Sequence, residues 1–289
     1  MASRIEHNDP KESDTFSLTY HYEMLSDVKR VTPFARAISE LCPGKVVFES
    51  GTGTGVLSIL AARAGAAAVY CTEIDPIVAQ FARRNIEQSG FSEKITLIPK
   101  STLHVTLEDL GGQRPDVLIA ENLATWQVME PQNQVMNHLR LHLAHPDTIS
   151  VPGKAFNYVQ LGQSEYRFFD TVELRTPYYE FAGIRGAVLR SQPTLFSSFD
   201  YSGVVDTAIE REIVVTAWSR GTVNSLRLTS PLELSKDNHF EYSDSLMPPV
   251  VVPLSEDIGV TAGEQLMVAI RYQTYAEWKE LECTVRRLK

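Results

Sequence analysis

Val46-Val47-Phe48-Glu49-Ser50-Gly51-Thr52-Gly53-Thr54-Gly55-Val56-Leu57 is the stretch from which the fold can be read. An apolar run breaks into alternating glycines and resumes as an apolar, alanine-rich segment, which predicts a strand, a tight turn and a helix start. Glycine at every second position leaves no Cβ facing a ligand, so backbone N–H groups and the positive end of the next helix can approach a polar or anionic group. The spacing is G-x-G-x-G, not the G-x-G-x-x-G of dinucleotide sites. Glu49 precedes the first glycine at the strand end, where a carboxylate repels a pyrophosphate but suits a cationic amino-acid head group. A second apolar run, residues 66–72, ends in Glu73, about where an acidic side chain reaches ribose hydroxyls in doubly wound folds. S-adenosylmethionine meets all of these conditions, because it carries adenosine and a positive sulfonium but no pyrophosphate.

Working outward, the pattern alternates helix and strand. Residues 57–63 read as helix, 67–72 as strand, 76–88 as helix with Pro76 in its first turn, 95–99 as strand, 116–120 as strand and 131–144 as helix. Such alternation predicts a parallel sheet covered on both faces, with ligands bound beyond the carboxyl ends of its strands. Glu49, Glu73 and Glu121 all lie at such ends. Upstream, apolar residues recur at helical spacing from Glu23 to Leu41, and Pro33 is expected to divide this stretch into two helices. After Pro152-Gly153 the texture turns to short β-type runs (156–161, 212–218, 250–252 and 266–272), with a possible helical insertion over 168–190. The expected organisation is α/β: a flexible terminus at 1–15, a Rossmann-like domain with N-terminal helices at 16–150, and a β-barrel-like domain at 151–289.

Composition narrows the function classes. The chain has 289 residues and a net charge of −9, which disfavours a nucleic-acid surface, since such surfaces need basic patches to displace counterions from phosphates. No Asn-Pro-Pro-aromatic loop follows the fourth strand, which also speaks against nucleic-acid methylation. Cys42, Cys71 and Cys283 lack metal-ligand spacing and are odd in number, so they read as buried or partly buried thiols rather than a disulfide framework. No membrane span and no secretory leader is legible, and a cytoplasmic location is expected.

The loop Ala120-Glu121-Asn122-Leu123-Ala124-Thr125-Trp126-Gln127-Val128-Met129-Glu130-Pro131 places a carboxylate at either end, beside the expected cofactor pocket. Glu130 also precedes a helix start, where acids are favoured for structural reasons alone. Together with the glycine turn, Glu73, the segment His21-Tyr22-Glu23-Met24-Leu25-Ser26-Asp27 followed by Arg30, and Gly263-Glu264 near the end, this loop resembles the protein arginine methyltransferase family over roughly residues 16–275. The resemblance implies that Gly51, Gly53 and Gly55 line S-adenosylmethionine, Glu73 holds its ribose, Arg30 pairs with its carboxylate, His21 and Met24 lie over it, and Ser101 and Thr102 border its adenine. Leu103 stands where the family commonly has an acid. Glu121 and Glu130 match the pair that clamps the acceptor guanidinium.

That clamp makes chemical sense on its own. A guanidinium is planar, permanently charged and a poor nucleophile, because its lone pairs are delocalised. Two carboxylates can hold it through paired charge-assisted hydrogen bonds and draw positive charge toward the nitrogens they grip.

The chain departs from the family on the acceptor side. The tyrosine-rich N-terminal motif is absent at its spacing, although Phe16, Tyr20 and Tyr22 lie nearby, and the Thr-His-Trp loop is echoed only by His239-Phe240. These departures favour free L-arginine or a small guanidino compound as acceptor over peptidyl arginine. A methyltransferase-like scaffold without activity is the alternative of another class, and its expected sign, loss of the loop acids, is missing. The resemblance also implies a homodimer joined by an arm, for which residues 176–199 are the candidate.

Overall fold

The computed structural model describes residues 17–288; the expectations for residues 1–15 and for Phe16 lie outside them. Two helices come first, α1 (Leu18–Ser26) and α2 (Val28–Leu41). The break between them falls at Asp27, not at Pro33, which lies inside α2. Asp27 ends α1 in an extended conformation, and its carboxylate accepts the Arg30 N–H at 3.2 Å, capping α2. Only the second half of the apolar stripe is core: Phe34, Ala37 and Ile38 are buried, whereas Leu25 and Val28 are exposed.

A parallel sheet follows, built from β1 (Val46–Ser50), β2 (Ala68–Thr72), β3 (Ile95–Ile98), β4 (Val117–Ala120) and β5 (Ile149–Val151). Helices α3 (Val56–Arg63), α4 (Pro76–Ser89) and α5 (Gln132–His142) connect them. The strand order is β3-β2-β1-β4-β5. The chain winds outward from β1 in one direction and returns to continue in the other, so β1 and β4 flank the topological switch point, where such sheets open a crevice. The register pairs Ser50 with Ala120 and Glu49 with both Ile119 and Cys71. Gly51, Glu73 and Glu121 therefore leave the sheet side by side.

The remaining chain is antiparallel β. Strand β6 (Lys154–Gln163) lies inside an eight-stranded curled sheet with β9 (Tyr178–Tyr179), β10 (Val188–Leu189), β11 (Thr194–Asp200), β13 (Gly221–Thr229), β14 (Leu232–Ser235), β15 (Asn238–Phe240) and β16 (Val250–Val260). A three-stranded sheet holds β12 (Ala208–Thr216), β17 (Gln265–Gln273) and β18 (Glu282–Arg287), and a hairpin pairs β7 (Arg167–Phe168) with β8 (Val172–Glu173). The fold is thus a Rossmann-like α/β unit followed by a β half-barrel, as the residue patterns led us to expect. No helix forms over 168–190, which carries short strands and turns instead. On the β7–β8 hairpin, Phe169 is 96% exposed. One apolar core runs from Phe34 through Ile119 and Trp126 to Leu226, joining both parts of the chain. Among the described residues no helix is long and apolar enough to cross a membrane.

Candidate active site

A cleft lies over the switch point, lined by α1, the glycine turn and the ends of β2 and β4. Its floor is the glycine turn. Gly51 and Gly53 adopt left-handed φ of 64° and 57°. A Cβ at Gly51 would stand 2.8 Å from Asn122 Nδ2, and one at Gly53 would stand 3.2 Å from the His21 ring. Glycine is needed here both for conformation and for space.

Glu73 shapes the next wall. Its carboxylate accepts the Gly53 N–H and the Asp75 N–H, each at 2.9 Å. Burial raises its pKa, and those backbone donors oppose the rise. With both oxygens pinned by backbone, the carboxylate is oriented before any ligand arrives. His21 and Met24, on α1, roof the same cleft. Burial lowers the His21 pKa, Asp75 opposing and Arg30 assisting, so the ring is neutral near pH 7.

Four of the expected cofactor residues, Glu49, Ser101, Thr102 and Gly55, are held by the protein itself or stand outside the cleft lining. Glu49 lines the cleft but is only 2% exposed, and its carboxylate accepts hydrogen bonds from the hydroxyls of Thr52 (2.7 Å) and Ser58. It braces the turn from behind rather than facing a cationic head group. Thr102 is buried beneath the turn, with its hydroxyl 2.8 Å from Ser50 Oγ and 2.7 Å from Thr72 Oγ1. Neither Thr102 nor Ser101 is among the residues lining the cleft, and Gly55 lies at the start of α3, packed on Ala82.

Burial pushes the Glu49 carboxyl up to about 7, against the hydrogen bonds from Ser58 and Thr52. Below about pH 4 the group is protonated in folded and unfolded chains alike. As pH rises toward 7 the unfolded chain loses this proton first, so folding stability falls, by up to about 3 kcal/mol. Denaturant midpoints measured from pH 4 to 8 should therefore decline more steeply in the parent than in Glu49→Gln. Equal slopes would remove Glu49 as the cause.

Glu121 and Glu130 both reach the cleft, although they lie at opposite ends of a loop. Glu121 forms an ion pair with Arg30, whose Nη1 also donates to the Met24 carbonyl at 3.1 Å. Burial pulls the Arg30 pKa down, but the charge and hydrogen bond of Glu121 outweigh it and raise the pKa. Arg30 Nε is buried and has no hydrogen-bond partner among the described residues. The loop between the acids contains two successive non-glycine residues with positive φ, Trp126 (58°) and Gln127 (54°). Such conformations cost about 1–3 kcal/mol each and persist only when the surroundings hold them.

Residue patterns alone missed Tyr20 and Leu246 in the cleft wall. The Tyr20 hydroxyl donates to the Ser245 carbonyl at 3.2 Å. Burial, then the charges of Glu130 and Glu121, push its pKa up to about 12, so it remains a donor at neutral pH. Its place on the same face of α1 as Met24, one turn on, was the available signal. His239 is exposed on β15 opposite Glu233 and does not line the cleft.

Comparison with known proteins follows the same lines. A family model for the ribosomal protein L11 methyltransferase matches residues 36–141. An arginine N(omega)-methyltransferase of Streptomyces achromogenes subsp. streptozoticus is 28% identical over 277 residues, covering 89% of this chain and 76% of that protein. Among solved structures, protein arginine methyltransferase 10 of Arabidopsis thaliana superposes with a TM-score of 0.78 at 18% identity, covering 94% of each chain. The PRMT1 enzyme–prozyme heterotetramer of Trypanosoma brucei, solved with AdoHcy, gives 0.75 at 20% identity, covering 93% of this chain and 98% of that one. These structures share the fold.

Proposed function

We propose that the chain is an S-adenosylmethionine-dependent arginine methyltransferase, and that it methylates the guanidinium of free L-arginine or of a small guanidino compound. The observation that carries this reading is the meeting of Glu121 and Glu130 in the cleft floored by the glycine turn. The residues present fit the cofactor. Glu73 presents a pre-oriented acceptor for ribose hydroxyls, and the orphaned Arg30 Nε offers a buried donor to a carboxylate. When bound, S-adenosylmethionine supplies a methyl group made electrophilic by its sulfonium.

Every other contribution comes from the chain. Glu121 and Glu130 would grip the acceptor guanidinium and hold one nitrogen in line for displacement, a proximity effect. Glu121 already shares its charge with Arg30, so the proton released after transfer would pass to a carboxylate oxygen of Glu130. The phenol of Tyr20, its O–H given to the Ser245 carbonyl, lies within reach of the charge of both acids and would stay neutral as this charge moves.

A small acceptor is supported by the named activity of the Streptomyces relative. Peptidyl arginine is the second reading, supported by the likeness to protein arginine methyltransferase structures. With labelled cofactor, purified protein should transfer methyl to free L-arginine or small guanidines, identified by product mass. Transfer confined to arginine-rich peptides would sink the small-molecule reading. A homodimer belongs to the same proposal, supported by the exposed apolar hairpin around Phe169; sedimentation as a monomer at micromolar concentrations would count against it.

A further inference from the structure

The left-handed pair Trp126–Gln127 shapes the loop between the two acids, and a buried side-chain circuit holds it from the β half-barrel. The Trp126 N–H donates to Ser230 Oγ at 2.7 Å, and the Ser230 hydroxyl donates to Asn157 Oδ1 at 2.7 Å. From the other end of the same amide, Asn157 Nδ2 donates to Gln127 Oε1 at 3.0 Å. Gln127 Nε2 has no hydrogen-bond partner among the described residues, so Asn157 orients that side chain. Asn157, Ser230 and Gln127 are all fully buried.

Two further contacts keep the amide in place, Ser197 Oγ at 3.2 Å and Tyr272 OH at 3.1 Å from Asn157 Nδ2. The Trp126 ring stacks on Phe196, with centroids 5.0 Å apart, and its Nε1 donates to the carbonyls of Tyr158 and Thr229. The loop is therefore held by the indole, by the Tyr275 and Ala276 N–H groups on the carbonyls of Gln127 and Val128, by the Thr125 hydroxyl on the Pro248 carbonyl, and by a side-chain circuit that converges on the Asn157 amide.

We infer that Asn157, acting through Ser230 and Gln127, is a positioning residue for methyl transfer: it sets the course of the loop and with it the spacing of Glu121 and Glu130. The inference rests on the proposed guanidinium clamp. Asn157 is not among the residues lining the cleft and would touch neither cofactor nor acceptor. Removing its amide leaves the indole packing and the backbone bonds from Tyr275 and Ala276, so the loop stays attached while the Trp126 N–H and the Gln127 side chain lose the anchor that fixes their course. A displacement of about 1 Å at the reacting groups can lower turnover on the order of 100-fold.

The test compares Asn157→Leu and Ser230→Ala with Thr148→Val. The last removes a buried hydroxyl that donates to the Pro115 carbonyl far along the sheet from the cleft. Steady-state kinetics with L-arginine, cofactor affinity by calorimetry and folded fraction by denaturant titration are measured on each full-length protein. Asn157→Leu is expected to lower kcat/KM for L-arginine about 100-fold, and Ser230→Ala about tenfold, with cofactor affinity unchanged. Thr148→Val should change stability alone.

Losses in Asn157→Leu and Ser230→Ala that merely follow the folded fraction, as in Thr148→Val, would overturn the positioning role, as would an equal loss of cofactor affinity. Should Asn157→Leu not fold, Ser230→Ala decides by the same criteria. A parent enzyme that moves methyl to no guanidine overturns the clamp itself and this inference with it.

Discussion

Glutamine in place of Glu121 or Glu130 is expected to cut methyl transfer by at least about 100-fold, the scale associated with losing one preorganised electrostatic partner in an active site. Glutamine keeps the size and one acceptor oxygen, so the loop should hold its course. What is lost is the negative charge that localises the guanidinium charge on the gripped nitrogens. Cofactor affinity should survive both changes, because Glu73 and Arg30 remain. Single-turnover rates with L-arginine, together with cofactor titrations, check this, and parent-like transfer by either variant would remove that residue from the clamp. The two variants should also differ. Glu130→Gln loses the proposed proton acceptor, whereas Glu121→Gln removes the partner of Arg30.

Arg30→Ala should have the second largest effect, and it should appear in two measurements at once. Arg30 is 7% exposed and paired with Glu121, so its removal strands a carboxylate in a mostly buried site. Breaking such a pair from one side costs about 3–5 kcal/mol, and access of water through the cleft places the expectation near the lower end, about 3 kcal/mol. Cofactor binding should weaken as well, by about 1.5–3 kcal/mol if one charge-assisted hydrogen bond to its carboxylate is lost. The double variant Arg30→Met with Glu121→Leu separates the two effects. It should regain stability, because replacing both ions with apolar groups is close to neutral, yet it should not regain cofactor binding. A single variant as stable as the parent would show that the ion pair does not form in solution.

The cofactor half of the site was the more legible half. Glycine alternation, strand-end acids and helical spacing are local patterns, and the parallel-sheet rule converts them directly into a common location. Sequence reasoning did not foresee the protein partners that these side chains have. Glu49 found Thr52 and Ser58, Thr102 found Ser50 and Thr72, and Arg30 found Glu121 across 91 positions. The break in the N-terminal helices followed the capping carboxylate of Asp27 rather than the proline, because a cap satisfies orphaned N–H groups that a proline merely lacks. Strand β13 went unread, because Asn224, Ser225 and Arg227 sit among its buried or half-buried positions and hide the apolar pattern.

What the sequence determined by itself is therefore the chemistry available at the crevice: a turn open to a ligand, an acid for a ribose, and two acids for a cation. These follow from residue type and position along a strand, which short-range sterics and hydrogen bonding settle. The tertiary structure alone decided how those groups are held. The Arg30–Glu121 pair, the hydrogen bond from the phenol of Tyr20 to the Ser245 carbonyl, and the grip of Asn157 and Ser230 on Trp126 and Gln127 all join segments distant in the chain. Their partners are chosen by register and burial, because a buried polar group must bond to whatever the packed fold brings within about 3 Å.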